Sequence, residues 1–491
     1  MLAHTFLAYT FMVTESFRRQ LRHESEQWWT EGLIDAALYE KLAQRYQFDA
    51  LEGDASNRFI AILMGLGGIL LGLGVITFVA ANWQDWSRTF RVIVLLSLFI
   101  SVNVTGFYLW RRPAHKRGLQ RLGHGLLLLG ALILGANISL ISQMFHQSGN
   151  FYELLLVWGM GVAAMAYSLR LTSLSVLALI LVGWGYSSGW IAWSTGEDLS
   201  LWQFFVRHMP LVASLLFIPL AHWCRSRVVF ALTAILVSAS LIFNLRPLAG
   251  WSYGHALASG WIAAIAFALP PALLWAYSPQ MWQWSRSRSA QHPIHAFQPI
   301  ARSLAVWCFA ILFYFFSFRW IWDVYPSDYY PVSQWEWQPL IDAIVLAVFA
   351  GLGWAQLRHQ LRRRSGVQEK ALNTGTIAIL ILSTAGLFFW NIELETAPAL
   401  TVFLFNLMLF FLAIALVRDG LALGQRHTFW GGMVLLVLGI VTRMLEYNTD
   451  LLLKSIVFAI CGVSVIGAGL WFERNARPRR LRSQPSQEGT R

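Results

Sequence analysis

The sequence predicts an all-α fold, a polytopic transmembrane helical bundle preceded by a small N-terminal cytoplasmic helical hairpin. Hydrophobic residues make up 57% of the 491-residue chain and charged residues only 13%, whereas a soluble domain carries about 25% charged residues. Long apolar runs also recur along the chain, and the loops between them alternate between arginine-rich and arginine-poor. This alternation is typical of helices that cross a membrane repeatedly.

The first segment, residues 1–58, is predicted to be cytoplasmic and helical. Residues 1–11 are apolar but lack the basic region and cleavage site of a signal peptide. The amphipathic pattern starts only after Met12, so translation from either Met1 or Met12 fits the sequence.

Two short helices are predicted in this segment. A charged helix covers 15–29 and is ended by Gly32. Asp35 is placed to cap a second helix, which carries an apolar face at i, i+4 and i+8 made of Leu38, Leu42 and Tyr46.

Fourteen apolar runs follow as candidate membrane spans, because a run of about 18 apolar residues can satisfy its backbone in hydrocarbon only as a helix. The shortest runs are 228–243 and 428–442. The chain is divided into a first membrane segment of about five spans (59–190), a further bundle of about nine spans (191–472) and a disordered basic tail (473–491). The fourteen runs are 60–81, 90–110, 123–143, 151–169, 172–190, 205–223, 228–243, 255–277, 301–320, 339–356, 372–390, 398–417, 428–442 and 451–471.

The positive charge is concentrated in alternate loops. The loops 111–121 and 358–370 are rich in arginine, whereas 144–150 contains no lysine or arginine and 391–397 carries two glutamates. Basic loops stay on the cytoplasmic side, so both termini are predicted to be cytoplasmic. The net charge of +12 therefore predicts contact with the lipid bilayer rather than with nucleic acid.

No catalytic, cofactor-binding or metal-binding motif is found in a credible context. The three cysteines, Cys224, Cys308 and Cys461, lack paired spacing. There is no phosphate-binding loop, H-E-x-x-H or dinucleotide motif. Residues 185–189 spell G-x-S-x-G, but at the end of an apolar span rather than between a strand and a helix. We therefore expect a protein that is not an enzyme and has no cofactor.

Several segments resemble the bacterial membrane-protein family called domain of unknown function 2157 (DUF2157). The segments are 28–35 (WWTEGLID), 78–83 (FVAANW), 134–138 (LGANI) and 443–447 (RMLEY). The resemblance is best over 28–190, so that 59–190 is predicted to be a DUF2157-like membrane core. It implies a polytopic protein of the bacterial inner membrane, and it implies no activity or site residues.

Polar side chains within or beside spans are the first candidates for a ligand pocket, because burying them in a membrane is costly. Asn82 and Asn137 each follow an alanine near the outer end of a span, and Gln143, His146 and Glu153 lie at the outer interface. Each asparagine could make an interhelical hydrogen bond or contribute to a ligand or ion site. His146 could be an interface residue or a proton donor and acceptor.

A second set of candidates lies in the segment 443–454. Arg443, Glu446, Asp450 and Lys454 occur at i, i+3, i+7 and i+11, so that on a continuous helix they would form two opposite-charge pairs. A turn near 448–449 is expected to interrupt that helix. The segment is interpreted either as a salt-bridged turn or as a site for an anion or lipid headgroup, since a guanidinium binds carboxylate and phosphate as a fork.

Two functional hypotheses follow. The first is transport or flipping of a small solute or lipid-linked anion, although no acidic residue stands clearly at mid-membrane and Asp342 lies near an outer span end. The alternative is a membrane scaffold or envelope-stress component that binds other membrane proteins, with a possible protein partner at the N-terminal cytoplasmic segment. A transferase acting on a lipid carrier ranks last, because the external loops are short.

Overall fold

The computed structural model describes most of the chain. Two predictions lie outside the described residues. They are the candidate residue Asn82 and the span 60–81, of which only residues 70, 77 and 81 are described. Described are 15–46, 48, 70, 77, 81, 85–112, 117–146, 149–194, 202–245, 256–278, 297–322, 338–361, 373–393, 398–447 and 450–482.

All regular secondary structure in these residues is helical, and no strand occurs among them. The predicted all-α membrane fold is therefore confirmed. By backbone contacts the chain divides into two units, Met1–Ser97 and Leu98–Arg491.

The first unit contains the predicted hairpin. Helix α1 (Glu15–Thr30) and helix α2 (Ala36–Tyr46) are joined by a turn in which Gly32 has φ +73°, a conformation that glycine adopts without steric cost. The side chain of Asp35 accepts a hydrogen bond of 2.8 Å from the backbone N–H of Leu38. The predicted cap is therefore confirmed.

The two helices of the hairpin contact each other through Tyr39. This residue does not belong to the predicted apolar face of Leu38, Leu42 and Tyr46. The Tyr39 ring stacks on Trp29 with centroids 5.3 Å apart, while Leu38 is exposed. Burial and the carboxylate of Glu26 raise the pKa of the Tyr39 phenol. The hydroxyl therefore stays protonated at neutral pH and donates to Glu26 at 3.4 Å.

Helix α3 (Arg88–Trp110) runs across the division between the units, and the remaining helices belong to the second. They are α4 (Arg117–Met144), α5 (Phe151–Leu169), α6 (Thr172–Ser194), α7 (Gln203–Arg207), α8 (Met209–Trp223), α9 (Arg227–Leu245), α10 (Ala256–Ala276), α11 (Gln298–Phe316), α12 (Arg319–Trp322), α13 (Gln338–Leu361), α14 (Thr374–Glu393), α15 (Pro398–Leu423), α16 (Arg426–Glu446) and α17 (Leu451–Arg482).

Eleven of the described helices are long and apolar enough to span a membrane, and two shorter apolar helices, Met209–Trp223 and Gly260–Ala276, accompany them. The predicted number of about fourteen spans is therefore not confirmed. The two shortest predicted runs, 228–243 and 428–442, lie in helices of 19 and 21 residues.

The predicted span 205–223 is not one continuous helix. It is interrupted at His208, whose backbone has φ −102° and ψ 23°, between α7 and the 15-residue α8. Pro210 contributes to this interruption, because a proline lacks a backbone N–H and its ring clashes with the carbonyl four residues earlier. That carbonyl belongs to Val206.

The last helix differs from its predicted end. Helix α17 continues to Arg482, ten residues beyond the last residue of the predicted bundle, so the basic tail begins as a helix rather than as an irregular segment.

The buried side chains of the second unit form two main clusters. One is centred on α5, α6, α8 and α9, and the other on α10, α11, α14 and α15. Side-chain hydrogen bonds also connect helices that are distant in sequence. Examples are Tyr186 with Asn244, and His208 with Asp342.

Candidate functional site

Arg443, in the last turn of α16, is a buried charged residue among the candidate site residues that the sequence predicted. Its side chain is nearly enclosed, since only 7% of the residue is exposed. A cation is favourable at the C-terminal end of a helix because the backbone carbonyls there carry partial negative charge. The helix thus places a guanidinium where the ends of other helices converge.

Three groups hold this guanidinium. Nη1 donates hydrogen bonds to the carbonyl oxygen of Ser317 and to the carboxylate of Glu446. The Cζ atom lies 3.8 Å from the centroid of the Phe318 ring, a cation–π contact. The orientation of Arg443 is therefore fixed by a charge, a carbonyl dipole and an aromatic face.

The surrounding polar groups extend this arrangement to α12 and α15. Glu446 accepts a hydrogen bond of 2.6 Å from the backbone N–H of Arg319. Asn406 donates through Nδ2 to the carbonyl of Ser317 at 3.0 Å and to that of Val402 at 2.8 Å. We call this set the Arg443 site, and its members are Ser317, Phe318, Arg319, Asn406, Arg443 and Glu446.

Three buried polar atoms of the Arg443 site make no hydrogen bond within the part of the chain that the structure describes. They are Nε and Nη2 of Arg443 and Oδ1 of Asn406. The Nε–H and Nη2–H groups point the same way and match the two oxygens of a carboxylate or phosphate. The edge that recognises such anions is therefore the one that has no hydrogen-bond partner among the described residues.

Glu446 contacts Arg443 as predicted, but Lys454 is not part of this group. Helix α16 ends at Glu446 and α17 begins at Leu451, so the predicted continuous face is split between two helices. In the described residues no ion pair joins Asp450 to Lys454, whose backbone N–H bonds the Asp450 carbonyl at 3.1 Å.

The other predicted residues lie in a different part of the bundle. Asn137 is buried on α4 and Gln143 is exposed on the same helix, while His146 follows it with φ +50° and Glu153 lies in the first turn of α5. Helix α4 packs mainly on α5 and α6, whereas α16 packs on α15 and α17. These four residues therefore do not belong to the Arg443 site.

A second polar set lies at the interruption between α7 and α8, and it was not predicted from the sequence. His208 Nδ1 lies 2.8 Å from Oδ1 of Asp342, which is only 1% exposed. Asn244 donates to the carbonyls of Val206 and Arg207. The available signal was Pro210, two residues after His208 in an otherwise apolar run.

These features define an all-helical polytopic membrane protein with charged side chains enclosed between its helices. Residues 26–175 match the family model described as "Predicted membrane protein (DUF2157)", so the predicted resemblance is confirmed over that part of the chain. No curated protein and no solved structure matched the chain. The Arg443 site lies outside the matched residues.

Proposed function

We propose that this protein transports or flips a small solute or lipid-linked anion across the bacterial inner membrane. The observation that carries the proposal is the buried Nε–Nη2 edge of Arg443, which makes no hydrogen bond within the described residues. Under this proposal the protein is not an enzyme. Its work is to bind and move an anionic group rather than to change it.

The chemistry of the site supports an anionic ligand. A buried guanidinium is costly in a membrane protein unless its charge and its donors are used. Glu446 and Ser317 satisfy Nη1, and a carboxylate or phosphate of a ligand would satisfy the remaining edge in a bidentate manner. Asn406 Oδ1 would accept from a hydroxyl of the same ligand or from a bridging water.

The architecture supports movement rather than binding alone. Eleven described helices have the length and composition of membrane spans, and one apolar helix is interrupted at His208. Interrupted helices are common in transporters. With both termini in the cytoplasm, as the basic loops favour, the C-terminal ends of α11 and α16 face outward, so the ligand reaches Arg443 from the outer side.

The test uses the full-length protein in liposomes with two probes, a fluorescent phosphatidylglycerol and radiolabelled inorganic phosphate. Flipping of the first indicates a lipid headgroup, and flux of the second indicates a free anion. Arg443→Gln is expected to lower the rate of the transported probe at least about tenfold, because a hydrogen bond to a charged group contributes roughly 1.5–3 kcal/mol. Arg443→Lys keeps the charge but not the fork, and is expected to be intermediate.

The matched control is Arg426→Gln, which removes an exposed arginine at the opposite end of the same helix. It should leave the rate unchanged. Movement of neither probe above that of protein-free liposomes would contradict the proposal, and so would an Arg443→Gln variant that is as fast as the wild type.

A scaffold that binds other membrane proteins is the second candidate function. It is favoured by α17, because none of the residues in its apolar span Leu451–Trp471 is buried in the structure. Leu451 and Val463, for example, are 83% and 72% exposed. A stably bound membrane-protein subunit in gently extracted material would support this function.

A further inference from the structure

The interruption between α7 and α8 places a histidine beside a buried carboxylate. His208 Nδ1 and Asp342 Oδ1 are 2.8 Å apart. When Asp342 is ionised it can only accept hydrogen bonds, so the His208 tautomer that fits this contact has its proton on Nδ1 and leaves Nε2 as an acceptor. The side chain of His208 remains 16% exposed, so the ring is not sealed from its surroundings.

Asp342 is suited to hold the ring in either protonation state. It is 1% exposed, and Oδ2 makes no hydrogen bond within the described part of the chain. The backbone N–H of Leu211, in the first turn of α8, interacts with the same carboxylate. The positive end of a helix and the imidazole thus both face this buried carboxyl group.

Among the residues that the structure describes, the polar and aromatic neighbours of the pair have contacts of their own. The Arg207 guanidinium donates to Gln338 at 2.5 Å and lies over the Trp193 ring. The Tyr186 phenol donates to Asn244 at 2.8 Å, and the Phe204 ring packs against His208 with centroids 4.7 Å apart.

We propose that Nε2 of His208 is a proton-binding site within the membrane domain, with Asp342 as the residue that positions the ring. A proton from water adds to the Nε2 lone pair, the ring becomes an imidazolium, and Nδ1–H stays bonded to Asp342. No other bond forms or breaks. The further role of this site, coupling proton movement to anion movement, rests on the proposed function.

His222 provides a matched control, because it lies on α8 as well and both of its ring nitrogens have partners. Its Nδ1 is 2.9 Å from the carbonyl of Ile218, and its Nε2 is 2.9 Å from the hydroxyl of Tyr277. Both ring nitrogens of His222 are therefore engaged by neighbouring groups. Replacing it should leave proton binding unchanged.

The experiment is a pH jump applied to full-length protein in liposomes adsorbed on a solid-supported membrane, with the displaced charge recorded. Wild type and His222→Asn are expected to show a transient charge movement, whose midpoint on the pH scale is recorded. His208→Asn should reduce it at least about tenfold. The asparagine amide can replace Nδ1 as the donor to Asp342 but offers no counterpart of Nε2, so the loss would report titration rather than unfolding.

Asp342→Asn gives an independent readout. The neutral amide still accepts from Nδ1 but no longer stabilises the imidazolium, so the midpoint should move to lower pH by about one unit or more. A His208→Asn variant with undiminished charge movement, or an unmoved midpoint in Asp342→Asn, would overturn the proposal. No transported anion is needed, so charge movement without flux of either probe would disprove only the proposed function.

Discussion

At the scale of single residues, Asn244 shows how the interruption is tolerated inside an apolar bundle. Pro210 cannot donate to the carbonyl of Val206, which lies four residues earlier. The amide of Asn244 supplies that donor at 3.0 Å and also bonds the carbonyl of Arg207 at 2.7 Å. Its own oxygen accepts from Tyr186. One buried side chain therefore satisfies the backbone that the proline leaves unpaired.

Asn244→Leu is expected to lower the free energy of unfolding by about 2 kcal/mol or more, because two carbonyls lose the donor that a buried side chain supplies. The control, Tyr186→Phe, removes one hydroxyl and should cost about 1 kcal/mol. Denaturant unfolding of both variants in detergent micelles measures the difference. Equal losses in the two variants would show that Asn244 does not repair the backbone.

At the scale of elements, close packing of α15 and α16 sets the position of Arg443. Gly432 of α16 faces the backbone of α15, where an added Cβ would lie 2.8 Å from the carbonyl oxygen of Ala413 and from the amide nitrogen of Val417. Small residues let helices approach closely in membranes. The contact holds α16 against α15, the helix that carries Asn406. The side chains of Arg443 and Asn406 therefore both reach the carbonyl of Ser317.

Gly432→Ala should therefore push the two helices apart and destabilise the protein by roughly 1–3 kcal/mol. Its neighbour provides the control, because a Cβ on Gly431 would meet nothing within 4 Å. Gly431→Ala should be neutral or slightly stabilising, since alanine favours helix over glycine. Thermal unfolding of both purified variants tests this, and a Gly432→Ala variant as stable as Gly431→Ala would argue against the close contact.

At the scale of the whole molecule, the sequence predicts helices well and their partners poorly. Apolar runs must be helical in hydrocarbon, which explains the agreement in helix positions, and the Arg443–Glu446 pair was predictable because it spans a single turn. His208 and Asp342 are 134 residues apart. A helix that is apolar on all sides carries no signal for which neighbour it contacts, so neither that pair nor the contact of Arg443 with Ser317 could be foreseen.

The most direct test of the central claim, that Arg443 holds an anionic ligand inside the membrane protein, is native mass spectrometry of protein extracted gently from its own membrane. The wild type and the Arg426→Gln control should retain a small molecule or lipid that carries a carboxylate or phosphate, and Arg443→Gln should lose it. Retention of the same molecule by Arg443→Gln, or a wild type that carries only a protein subunit, would contradict the claim.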